Sequence, residues 1–60
     1  MKVRILDYDA RGETLRGVAD LRDCFPDDDE EMQRALRELA NAGRYWTGGG
    51  AAPLVLLTRL

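Results

Sequence analysis

Few side chains in this chain have the type and spacing to do chemistry. The run Asp27-Asp28-Asp29-Glu30-Glu31 offers five consecutive carboxylates, which suit a divalent cation, a mimic of nucleic-acid phosphates, or the start of a helix. Consecutive residues on a turn diverge rather than converge on an ion, whereas acids at a helix N-terminus are favoured by the helix dipole. Cys24 is the single cysteine, and histidine and serine are absent. That excludes an internal disulfide, a cysteine-rich zinc site and every Ser-His or Cys-His arrangement. Cys24 therefore reads as a small buried apolar residue. Asp7, Tyr8 and Asp9 have no partner that would make a reaction, and they read as part of a turn. Gly48-Gly49-Gly50 has the composition of a phosphate loop, but such a loop needs a helix N-terminus after it, and here Pro53 and a β-run follow. No catalytic residue, metal or cofactor is expected, and the residue content argues against an enzyme.

What remains suits binding. Tyr45 and Trp46 are adjacent, so in a strand they point to opposite sides of the sheet. Either one of them is outside, or both are covered by the first strand and the short helix. An exposed aromatic beside Arg44 and a glycine loop has the composition of an interaction hot spot. The candidate partner-binding residues are Asp27, Asp28, Asp29, Glu30, Arg44, Trp46, Gly48, Gly49 and Gly50. An alternative, nucleic-acid-binding set is Arg34, Arg37, Arg44 and Arg59.

These residues have to be positioned by a very small fold. Sixty residues permit one domain, 1–60, with one small core, because a short chain buries a low fraction of its surface. With 45% hydrophobic and 33% charged residues the chain is globular rather than disordered. No apolar run reaches membrane-spanning length. The N-terminus returns to charge before a signal-peptide core could form, which makes the cytoplasm the expected compartment. The net charge of −2 does not suggest a nonspecific polyanion binder.

Val3 to Tyr8 reads as a strand, with Gly12 able to take the positive φ that closes a hairpin. Glu13 to Gly17 is a short returning strand or a helix lead-in, and the strand is preferred. Val18, Leu21, Cys24 and Phe25 have helical spacing up to Pro26, which predicts a first helix over Val18 to Phe25. Asp28 and Glu31 have capping-box spacing, so a second helix starts there. Met32, Ala35, Leu36, Leu39 and Ala40 form its apolar stripe, and Gly43 suits its left-handed end. Arg44 to Thr47 and Leu54 to Leu60 are the last two strands. Leu54-Val55-Leu56-Leu57 is apolar on both alternating faces, which suggests an interior strand between the first strand and the Arg44 strand.

Two resemblances extend this reading. From Leu15 to Leu60, the order helix, turn, helix ending in Leu36-Arg37-Glu38-Leu39-Ala40-Asn41-Ala42-Gly43, glycine loop and strand is similar to a winged-helix DNA-binding domain. That resemblance implies a recognition helix with Arg34 and Arg37 facing the groove, Arg44 and Arg59 on phosphate, and a DNA-binding regulator. Trp46 to Leu57, with its Gly-Gly-Gly-Ala-Ala-Pro turn, resembles small accessory proteins of phages and other mobile elements. It implies a compact protein, some of whose relatives bind host or competing-element proteins, such as inhibitors of CRISPR-type anti-phage factors.

The expected fold is α+β: a small antiparallel sheet with two helices on one face, order β(β)ααββ, and a winged-helix-like C-terminal half. Its expected core is Ile5, Leu15, Leu21, Phe25, Met32, Leu36, Leu39, Val55 and Leu57. The expected function is a non-enzymatic protein-binding accessory module, with a protein as partner, a homodimer as a further option and nucleic acid disfavoured. Its acidic turn would compete with nucleic acid for a basic groove on the target.

Overall fold

A computed structural model describes residues 1–60. The element order is β1 (Lys2–Asp9), β2 (Gly12–Asp20), α1 (Leu21–Cys24), α2 (Asp29–Ala42), β3 (Arg44–Gly49) and β4 (Ala52–Arg59). All four strands form one antiparallel sheet in the order β2-β1-β4-β3. The doubly apolar β4 is an interior strand between β1 and β3, as its composition requires.

This sheet overturns the winged-helix-like C-terminal half. A wing is a hairpin beside a helical core, whereas here β4 pairs along β1 from Val3↔Arg59 to Tyr8↔Leu54 and belongs to the centre of the sheet. The helix before α2 is also a single turn of four residues.

β2 is longer, and α1 shorter, than the spacing of apolar residues predicts. Val18 and Ala19 pair with Arg4 and Val3 in the sheet. The long β1 supplies ladder partners as far as Asp20, and continued pairing with β1 outweighs one more turn of an isolated short helix. Asp20 then caps α1, its carboxylate accepting from the Arg22 N–H at 3.1 Å.

α2 starts and stops as its sequence predicts. The Asp28 carboxylate accepts from the Glu31 N–H at 3.0 Å, and Gly43 ends the helix in the left-handed region at φ 78°. Leu21, Ala35 and Leu39 from the helices and Phe25 just after α1 pack with Val3 and Leu57 from the sheet in one cluster, so both helices cover the same face. Ile5, Met32 and Val55 are half-buried against it. Leu15 and Leu36, both expected in the core, are 56% and 37% exposed.

Leu15 is outside because of a β-bulge. Ile5 pairs with Gly17 but Leu6 pairs with Leu15, leaving Arg16 as the extra residue on β2. One extra residue inverts the inside-outside alternation of the strand from that point on. Leu15 thereby moves to the far face, and Arg16 turns to the helix side, where it bonds Asp7. Leu36 lies at the edge of the α2 stripe, beyond the reach of a sheet that meets the helix along Ala35 and Leu39.

Candidate functional site

The second face of the sheet has no helix over it. Strand alternation places Val3, Ile5, Val55, Leu57 and Tyr45 toward the helices, and therefore Leu6, Tyr8, Leu54, Leu56 and Trp46 on the open side. Cross-strand pairing arranges the open side in rows. The central row is Leu15–Leu6–Leu56–Trp46, one residue from each strand. On one side of it lies Glu13–Tyr8–Leu54, and on the other Val18–Arg4–Thr58–Arg44.

The central row forms a second, shallow apolar layer. Leu56 is only 7% exposed, yet it lies outside the main core cluster. The Tyr8 and Trp46 rings pack edge to face with centroids 5.3 Å apart, a contact worth about 1 kcal/mol beyond the area it covers. Both rings still leave more than two-fifths of their surface to solvent. Arg4 and Arg44 flank Thr58 in the neighbouring row without a carboxylate partner, and Arg4 donates to the Arg59 carbonyl at 3.2 Å.

Tyr45 takes the opposite role. It faces the helices, where its ring meets Phe25 at 6.3 Å. Its hydroxyl and that of Thr47 donate to the Glu31 carboxylate at 3.4 and 3.2 Å. These bonds tie the first turn of α2 to β3. Of the adjacent aromatics, Tyr45 therefore holds the fold together and Trp46 is on the surface.

The expected partner-binding residues do not form one surface. Arg44 and Trp46 share the open face, with Gly48, Gly49 and Gly50 leading to the tip of the β3–β4 hairpin. Asp27, Asp28, Asp29 and Glu30 are exposed at the start of α2, on the helix side of the sheet. Asp28 is consumed as the cap, and Asp29 pairs with Arg22. Asp27 and Glu30 alone remain without an ion pair or hydrogen bond. The expected nucleic-acid set is divided too: Arg34 and Arg37 are exposed on the solvent side of α2, Arg59 is in phase with the helix-side residues Val55 and Leu57 of β4, and Arg44 is on the opposite face.

On the helix side, a half-open cavity of about 310 Å³ lies between the sheet residues Ile5, Arg16, Ala19, Thr47, Val55 and Leu57 and the α1 end at Asp23, Cys24 and Phe25. Burial, followed by the nearby charges of Asp23 and Asp20, pushes the Cys24 thiol up from its usual range. Its Sγ lies 3.7 Å from the Asp20 carbonyl. The thiolate is thus disfavoured where a nucleophile would need it. No group of three or more Cys, Asp or Glu side chains is arranged to hold a metal ion.

Leu6, Tyr8, Leu15, Val18, Leu54, Leu56 and Arg4 were not among the residues that sequence reasoning singles out for binding. Their signal was present in β4, whose apolar residues fall on both faces. Two helices on one side cannot cover both, so the other side of the sheet had to carry an apolar surface.

Fold and surface together define a small α+β protein built as an open, one-side-covered antiparallel sheet. No protein-family model, curated protein or solved structure matches the chain. No helix is long and apolar enough to cross a membrane.

Proposed function

We propose that the protein is a non-enzymatic binding module that captures a partner protein on the open face of its sheet, around Trp46. The observation that carries this reading is the row Leu15–Leu6–Leu56–Trp46, an apolar band across all four strands with no element of the chain above it. In a chain with so little core, leaving a Trp, a Tyr and three large aliphatic side chains partly in water is a cost that a docked partner removes. The adjoining Arg4 and Arg44 favour a partner whose apolar patch is bordered by carboxylates. The resemblance of Trp46 to Leu57 to phage and mobile-element accessory proteins directs the search for the partner to host or competing-element factors.

The test is affinity capture with the tagged protein, after nuclease treatment, comparing wild type with Trp46→Ala. A hot-spot tryptophan contributes about 2 kcal/mol, so the variant should lose roughly thirtyfold in affinity for the captured protein. A partner retained equally by wild type and Trp46→Ala would place the binding surface elsewhere.

A further inference from the structure

We infer that a second copy of this chain seats on the open face, sheet against sheet about a two-fold axis, forming a homodimer that a heterologous partner has to displace. The inference rests on the reading that the open face is a protein-docking surface, and it adds how that surface is covered when the partner is absent.

Three observations carry it. The first is area. Leu15, Val18, Tyr8, Trp46 and Leu54 are each between 36% and 56% exposed, which leaves roughly 500 Å² of apolar surface on one copy. Two copies with the stems of Arg4 and Arg44 reach about 1,200 Å², the lower bound for a specific, stable interface. The second is the small core. Only 7 of 60 residues are buried, and chains of this size have so little core that a disulfide, a structural metal or oligomerisation commonly supplements it. One cysteine cannot form an internal disulfide, and no side-chain group is arranged for a metal. Of these devices, association is the one for which the chain carries a surface.

The third observation is the layout of charge. Arg4 and Arg44 lie in one row beside the apolar band, while Tyr8 and Glu13 lie in the row on its other side. A two-fold axis along the Leu15–Leu6–Leu56–Trp46 row exchanges these two flanking rows. It lays the arginine row of one copy over the Tyr8 row of the other, keeps the guanidinium groups of the two copies apart, and offers Arg4 the face of a tyrosine ring. Along the axis Trp46 meets its own symmetry mate. An axis parallel to the strands would instead oppose the two arginine rows, so like charges select between the arrangements.

The experiment is sedimentation equilibrium of the purified chain from micromolar to millimolar concentration, on wild type, Trp46→Glu and Leu15→Lys, with circular dichroism confirming that each is folded. The wild type should approach twice the 6.8 kDa chain mass as concentration rises. Trp46→Glu sets two carboxylates against each other across the axis and should weaken dimerisation by at least about 100-fold. Leu15→Lys changes a side chain that is 56% exposed in the single chain, so it should weaken the dimer without unfolding the monomer. A dimer that survives both substitutions would overturn the open face as the interface. A wild type that stays monomeric to millimolar concentration would overturn self-association, while the partner-capture comparison with Trp46→Ala still decides the docking reading by itself. A monomer whose Trp46 emission is quenched by a single-stranded oligonucleotide would replace the second copy with stacked bases.

Discussion

Gly48 gives the sharpest prediction about the scaffold that presents Trp46. The β3–β4 ladder slips between Thr47 and Gly49, so that Gly48 faces the irregular segment of β4 at Pro53 and Leu54. A Cβ placed on Gly48 would lie 1.9 Å from the Pro53 carbonyl oxygen, and the residue has φ +86°. Gly50, at the tip of the same hairpin, has φ +60° with nothing within 4 Å of its Cβ position. In Gly50→Ala only the left-handed backbone has to be tolerated, which costs about 1 kcal/mol. Gly48→Ala carries a similar backbone cost and also forces two backbone segments apart, adding about 1–3 kcal/mol in the manner of an overpacked core. Its total, roughly 2–4 kcal/mol, rivals the roughly 3–5 kcal/mol that a core of this size supplies. Urea unfolding followed by Trp46 fluorescence reads the difference directly. With an m-value of about 1 kcal/mol/M for so small a chain, Gly48→Ala should lower the midpoint by about 2 M or more, and Gly50→Ala by about 1 M. Equal midpoints for the two variants would refute the close approach of Gly48 to Pro53.

Leu39 is fully buried and Leu15 is 56% exposed; Leu39→Ala should cost about 3 kcal/mol and remove most of the margin of stability, whereas Leu15→Ala should stay within about 0.5 kcal/mol of wild type at low protein concentration, both measured by denaturant titration. Asp28→Ala should cost about 1 kcal/mol by removing the α2 cap, and Asp28→Asn should restore most of it because asparagine caps equally well; thermal melts of the two variants check this. The hydrogen bond from Arg16 holds the Asp7 carboxyl below its usual range, and the Arg22 N–H does the same for Asp20. A lowered folded-state value means these groups contribute stability above the ordinary carboxylate pKa of about 4 and lose it as pH falls toward their folded values. Stability should therefore fall as pH drops below about 4, with a smaller fall in Asp7→Asn, as a pH series of urea midpoints would reveal. Because burial raises the Cys24 thiol, its alkylation by iodoacetamide in the folded protein should need a higher pH than in the urea-unfolded chain, and matching pH profiles would contradict that environment.

Local chemistry made much of this fold legible without coordinates. Asp28 with Glu31, and Gly43 after Ala42, mark the ends of α2 because capping is settled within a few residues of chain. The doubly apolar β4 announces an interior strand, and the absence of histidine and serine limits the chemistry available. Features that depend on pairing were not legible. The boundary between β2 and α1 was set by how far β1 could offer ladder partners, a property of another segment of the chain. The bulge at Arg16 cannot be seen in the residues from Glu13 to Gly17, yet it alone sends Leu15 away from the core and brings Arg16 to Asp7. The acids at the start of α2 and the Trp46 hairpin look like one binding set in sequence and lie on opposite sides of the sheet in space. The open face itself joins residues from all four strands, and only the strand order β2-β1-β4-β3 assembles Leu15, Leu6, Leu56 and Trp46 into a row. Periodicity states which residues alternate along a strand, but register and strand order decide which of them meet, and those are set by contacts distant in the chain.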